Sequence, residues 1–174
     1  MDIKKILALT IIALALFSCM SAASAGLFDF FGGGEVKNQT HTFDGFTLDI
    51  PETANVSSTN QSETGVERQF FTIRMQNESD SSKTYTTTVV VSKGDNIVSS
   101  VSEYVTNMVN VGGKEEGTYG EWTVINMEGI PISQGSLSNH TGYTLVKHTG
   151  EKLIIIRGPD LATLKNLAST YKEA

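Results

Sequence analysis

The histidines and carboxylates set the first limits on the chemistry of this chain. The histidines are His41, His140 and His148, and no H-x-H or H-x-x-x-H spacing occurs. A zinc site needs three or four ligands in fixed geometry, so this spacing favours surface histidines. His140 and His148 lie in neighbouring predicted strands, where a hairpin would bring them close. A hydrolase site would require an acid beside them in a pocket.

Other motifs that carry catalysis are missing or incomplete. No G-x-S-x-G turn occurs, and "FGGG" lacks the strand before it and the Lys-Ser/Thr after it that a phosphate loop needs. Glu115 and Glu116 are adjacent acids in a predicted polar turn, where solvated side chains are typical. Trp122, Tyr119 and Tyr143 could line a groove, although core packing explains them as well. The sequence therefore predicts no catalytic residue, no metal ligand and no cofactor.

The N-terminus has the pattern of an export signal. "MDIKK" is positively charged, Ile6 to Phe17 is an uncharged apolar run, and Ala23-Ser24-Ala25 forms an A-x-A exit. The pattern predicts a signal peptide over residues 1–25, a flexible aromatic and glycine-rich leader over 26–39, and one domain over 40–174. The expected location is secreted or on the extracytoplasmic cell surface.

Cys19, the only cysteine, lies inside this segment. "LFSC" resembles the lipobox of bacterial-type lipoproteins, so Cys19 is a candidate lipidation site. Phe17 is bulky where a small residue is usual, which favours cleavage after Ala25 instead; an uncleaved anchor is a third alternative. In each case thiol catalysis and cysteine metal sites are excluded from the folded body.

The charge balance argues against nucleic-acid binding. The chain has 13 basic and 19 acidic residues, and without residues 1–25 it carries 11 and 18, a net charge of −7. No basic patch is present to contact phosphates. We therefore expect an unknown protein or cell-envelope component as partner, with membrane contact only through the signal or anchor segment.

Five N-x-S/T sequons are candidate N-glycosylation sites. They are informative only in a secreted protein from a glycosylating host, and clustering of Asn and Ser in turns also explains them. The acceptor residues are Asn38, Asn55, Asn60, Asn77 and Asn139.

Hydrophobic periodicity predicts an α+β domain. Asp44-Gly45 predicts a hairpin turn, followed by a strand from Phe46 to Pro51 and a polar loop over residues 52–63. Further strands are predicted over 66–75 and 84–92, around Trp122, weakly over 132–140, and around Tyr143 and Ile154–Ile156, the last buried on both faces.

Two amphipathic helices complete the prediction. The first begins after Asp95 or Asn96 as N-cap and ends at Gly112-Gly113. The second begins at Pro159-Asp160 and includes Tyr171. The order β-β-β-α-β-β-β-β-α, with short links, indicates a single domain with a mostly antiparallel sheet of six or seven strands and two packed helices.

The segments "FDGFTLDIP" and "KLIIIRGPDLATLKNLASTYK" resemble the PsbP/DcrB-like family of small exported α+β domains. The resemblance implies an accessory or binding role without catalysis, and carries no functional residue over to this chain. The expected function is a non-catalytic accessory or binding protein of unknown ligand. The alternatives are a lipoprotein-anchored carrier of an apolar ligand and a secreted hydrolase.

Overall fold

The computed structural model describes residues 37–63, 65–76, 84–94, 100–128 and 142–174. Residues Lys37–Ala174 form one unit. Several sequence predictions fall outside the described residues: the signal peptide, the first part of the leader, Cys19, the weak strand at 132–140, Asn77, Asn139 and His140.

The described residues form ten strands and two helices, which confirms the α+β class. In chain order they are β1 Asn38–Thr42, β2 Phe46–Pro51, β3 Asn55–Glu63, β4 Val66–Gln76, β5 Thr84–Gly94, α1 Val101–Asn110, β6 Lys114–Tyr119, β7 Trp122–Asn126, β8 Tyr143–Thr149, β9 Lys152–Gly158, α2 Leu161–Ser169 and β10 Lys172–Glu173.

The strands pair antiparallel in two sheets. The small sheet has the order β1-β2-β10, and the large sheet has the order β3-β4-β5-β9-β8-β7-β6. The large sheet therefore consists of two meanders, β3-β4-β5 and β6-β7-β8-β9, that join where β5 pairs with β9.

The β1–β2 hairpin forms as the sequence predicts. Gly45 has φ +80°, and the Phe43 N–H donates to the Phe46 carbonyl at 2.8 Å. Positive φ is tolerated there because glycine has no Cβ. Along β2 the apolar side chains point toward the large sheet and are buried: Phe46, Leu48 and Ile50.

Strand β9 lies at the centre of the large sheet and is buried on both faces, as predicted. Ile154 and Ile156 pack with the small sheet and α2, whereas Leu153 and Ile155 pack with α1. Alternate residues of a strand point to opposite faces, so one four-residue run supplies two cores. The molecule thus has three layers: α1, the large sheet, and the small sheet together with α2.

The predicted N-cap of the first helix is wrong. The helix begins at Val101, and the Ser100 side chain accepts a hydrogen bond from the Glu103 N–H at 3.1 Å. Apolar periodicity locates a helix but does not mark its first residue, which is set by the residue that caps it. On the apolar side of this amphipathic helix, Tyr104 and Val105 are buried, whereas Val109 is exposed.

The second helix begins as predicted, with Asp160 as N-cap, but ends earlier. The prediction that Tyr171 is helical is wrong. Thr170 caps the helix, and the chain then extends so that Lys172 and Glu173 pair with Thr47 and Phe46. Pairing with β2 replaces the last helical turn.

Two segments predicted as polar connections are strands. Residues 55–63 form β3, paired with β4 at every position, and Glu115 and Glu116 lie in β6, which has a bulge between Glu115 and Gly117. Their side chains are almost all exposed, so no alternation of apolar and polar residues marks either strand. With the hairpin arm β1 and the short β10, these strands raise the number above the predicted six or seven.

Candidate functional site

A polar cleft lies between the β1–β2 turn and one end of the β3-β4-β5 meander. It encloses about 340 Å³, which is at the lower end of the range for small-molecule sites. We call it the Asp44 cleft; its lining residues are Asp44, Asn60, Gln61, Ser62, Glu67, Arg68, Gln69, Val91 and Lys93.

Strand register builds the floor of the cleft. One row across the sheet pairs Asn60 with Gln69 and Gln69 with Val91, and the next row runs Ser62, Glu67, Lys93 and Lys152. Val91 belongs to the core against the small sheet, so both rows continue the face that the small sheet covers. The floor is therefore the point at which the apolar core gives way to a polar rim.

The β1–β2 turn closes one side of the cleft through a cluster of charges. The Asp44 carboxylate lies 3.4 Å from both the Lys93 and the Lys152 ammonium nitrogens, and Lys152 also donates to the Asp44 carbonyl at 2.8 Å. Lys93 lies 3.7 Å from a Glu67 oxygen. These contacts hold the turn against β5 and β9 while both lysines remain partly exposed.

The cleft offers donors and acceptors in near balance. Among the lining residues, the carboxylates of Asp44 and Glu67 are matched by the cationic groups of Arg68 and Lys93, so the formal charges of the lining cancel. Amides at Asn60 and Gln69 each supply two donors and an acceptor. Such a lining suits a ligand that both donates and accepts hydrogen bonds and carries little net charge.

A second cluster of polar and aromatic groups joins the C-terminal segment to the large sheet. The Lys147 ammonium lies 2.6 Å from a Glu121 oxygen and 4.1 Å from the centre of the Tyr171 ring, which meets Trp122 edge-on. The pKa of Glu121 is lowered by the Lys147 hydrogen bond and charge.

The Tyr171 hydroxyl of this cluster is enclosed by protein. Burial raises its pKa, and no hydrogen bond of good geometry reaches it, although Thr149 and Glu173 lie nearby. Thr149 donates instead to Glu173. The Lys147 charge is balanced by Glu121 at the surface. Through its contact with the Tyr171 ring, the cluster holds the C-terminal segment against the large sheet rather than enclosing a ligand pocket.

Those candidate residues from the sequence that the structure describes do not converge. His41 packs edge-on against Phe43, with ring centres 4.8 Å apart, and His148 is exposed on β8. Trp122 is buried in the core, with Tyr119 and Tyr143 packed against it, so the core interpretation of these aromatics holds. In the described ranges, no three His, Cys, Asp or Glu side chains are placed to hold a metal ion.

The three described sequon asparagines are exposed and lie on strands. Asn38 begins β1, whereas Asn55 and Asn60 lie on β3. All three acceptor side chains are accessible to solvent. Whether they carry glycans stays a prediction.

The cleft residues were missed by the sequence reading, although a signal existed. In β4 and β5 the alternation that buries Phe71 and Val89 continues past the apolar positions, through Gln69 and Glu67 and through Val91 to Lys93. Polar residues at inward-facing positions near a strand end indicate a rim. Asp44 could not be assigned to that rim without knowing where the hairpin packs.

No helix among the described residues is both long and apolar enough to cross a membrane. Comparisons of the chain with family models, with curated proteins and with solved structures gave no match. The resemblance to PsbP/DcrB-like domains therefore stays a prediction.

Proposed function

We propose that this chain is a secreted or cell-surface binding protein without catalytic activity, and that it holds a small, neutral, hydroxyl-rich molecule such as a saccharide in the Asp44 cleft. The observation that carries the proposal is the polar lining of that cleft. A binding role without catalysis for this chain agrees with what the resemblance to PsbP/DcrB-like domains implies.

The composition of the cleft supports a neutral ligand. The charges of the lining residues cancel, Asp44 and Glu67 against Arg68 and Lys93, and leave no excess that would attract an anion or a cation. Sugar hydroxyls both donate and accept, as do the amides of Asn60 and Gln69. Each ligand hydroxyl that enters would replace water on groups already arranged for hydrogen bonding.

The residue types of this lining favour a polar ligand over the apolar ligand of a carrier. Val91 is the single apolar residue that the described lining contributes. Both apolar clusters of the domain are packed with side chains, many of them wholly buried. A polar ligand is therefore the better fit.

Titration of the isotope-labelled protein with glucose and N-acetylglucosamine, followed by amide NMR, tests the proposal. We expect shifts confined to the cleft, centred on Gln69 and Lys93. Lys93→Gln should weaken binding at least about tenfold, or about 1.4 kcal/mol, whereas Lys114→Gln on exposed β6 should leave it unchanged. Shifts with inorganic phosphate but not with either sugar would contradict a neutral ligand.

Intact mass of the protein from its native host tests the proposed location. Cleavage after Ala25 gives a chain that begins at Gly26, and a lipid on Cys19 gives a longer, acylated chain. Either mass supports export, and added hexose mass would report glycans at the sequons. A full-length, unmodified chain would contradict secretion.

A further inference from the structure

The two edge strands of the large sheet differ in how well they are protected against pairing with a strand of another molecule. Edge strand β6 carries Lys114, Glu115 and Glu116 and contains a bulge, both of which hinder pairing with another strand. Edge strand β3 has no bulge, and its one charged residue is the last, Glu63. Its sequence from Asn55 to Ser62 contains no charged residue and no proline, and its ladder with β4 runs without a register shift.

The outer side of β3 is accessible in the described structure. Residues 57–62 are all exposed, and β4 is the strand that pairs with β3 within the described ranges. Alternate N–H and C=O groups along nine residues therefore point away from the sheet. A ladder of this length is sufficient to accept another strand.

We propose that β3 is a homotypic docking edge, which pairs antiparallel with β3 of a second copy of this chain. The two-fold axis lies at Thr59. Ser58 then faces Asn60 of the second copy and Ser57 faces its Gln61. Hydroxyl groups thus meet side-chain amides, with which they can exchange hydrogen bonds, and each contact away from the axis is made twice.

The charges of the strand fit this register. Glu63 is its only ionisable residue, and in this register it faces Asn55 of the second copy, so no like charges oppose each other. A foreign extended peptide is a poorer occupant. Specific strand addition reads alternate side chains with pockets, and the exposed side chains of β3 are short and polar.

Sedimentation velocity of the unglycosylated protein, from about 1 µM to 1 mM, tests the proposal. The wild type is expected to form a dimer as the concentration rises. Thr59→Lys and Thr59→Glu each place two like charges at the axis and should weaken the dimer at least roughly tenfold. An equimolar mixture of these two variants should restore dimerisation, because opposite charges then meet.

Thr118→Lys, on the β6 edge, is the matched control and should dimerise like the wild type. Thr59 is exposed, so its variants are expected to fold like the wild type. An unchanged circular dichroism spectrum will show that they do. A wild type that stays monomeric throughout the range, a Thr59→Lys variant that dimerises normally, or a mixture that stays monomeric would each overturn the proposal.

Discussion

Lys147 shows how one charge is accommodated beside a core. Its side chain is 11% exposed, and its ammonium group is held between the Glu121 carboxylate and the Tyr171 ring. A buried charge is tolerated when it is paired and hydrogen-bonded. The pair is therefore sensitive to the protonation of Glu121.

We expect stability to fall in acid partly through Glu121. Lys147 lowers its pKa in the folded state below the ordinary 4.5, so the unfolded chain takes up the proton first. The contribution of the Glu121–Lys147 pair to the free energy of unfolding is fully present at a pH above the ordinary pKa of 4.5 and is lost as the pH falls through the lower pKa of the folded state. Glu121→Gln should flatten the dependence of the urea midpoint on pH between about pH 6 and pH 3.

Glu151→Gln, in the exposed β8–β9 turn, is the control for this comparison. It should keep the wild-type slope. A Glu121→Gln variant with that same slope would show that the pair contributes nothing to acid sensitivity.

Gly94 is a glycine of positive φ whose replacement by alanine should be harmful. Its φ is +126°, and a Cβ there would lie 2.1 Å from the Gly65 carbonyl oxygen. The atoms that this Cβ would meet belong to the backbone of Gly65 and Val66 and cannot move aside as a side chain could. Gly94→Ala should therefore lower the free energy of unfolding by at least about 2 kcal/mol. Gly120, with φ +57° and open space around its Cβ position, should lose about 1 kcal/mol as alanine. Equal losses in urea unfolding would contradict the steric argument.

The N-cap residue of α2 accepts more hydrogen bonds than the N-cap residue of α1. The Asp160 carboxylate accepts from both the Thr163 N–H and the Thr163 hydroxyl at 2.7 Å. Asp160→Ala should cost about 1–2 kcal/mol and Ser100→Ala about 1 kcal/mol in urea unfolding. Ser102→Ala, on the exposed side of α1, should change stability by less than about 0.5 kcal/mol; a loss as large as that of Asp160→Ala would argue against capping.

Elements with one buried face could be predicted from sequence, whereas those with two exposed faces could not. Phe46, Leu48 and Ile50 alternate with polar residues because one side of β2 packs against the large sheet. Strands β3 and β6 lie at sheet edges with both sides exposed, so only their partners define them. Their local sequence is that of a loop.

The Asp44 cleft was beyond sequence reasoning for a related reason. Asp44, Lys93 and Lys152 come from a turn and two strands that are far apart in the chain, and only the register of the sheets brings them within 3.4 Å. Sequence reasoning located β5 and β9 but had no means to pair them. The site depends on that pairing.

At the scale of the whole molecule, the two proposals reinforce each other. Asn60 and Ser62 line the cleft and also lie on the docking edge. An antiparallel pair about Thr59 would place both clefts on the same face of a continuous sheet. A polymeric saccharide could then engage two sites, and its avidity would exceed the affinity of either cleft alone.

The join between β5 and β9 has a consequence for the chain during its synthesis. The β3-β4-β5 meander is complete long before β9 emerges, so β5, with its buried run Val89–Val91, has an open edge in the meantime. Apolar edges of this kind promote aggregation. A chain truncated before Lys152 is therefore expected to form aggregates that scatter light rather than to fold.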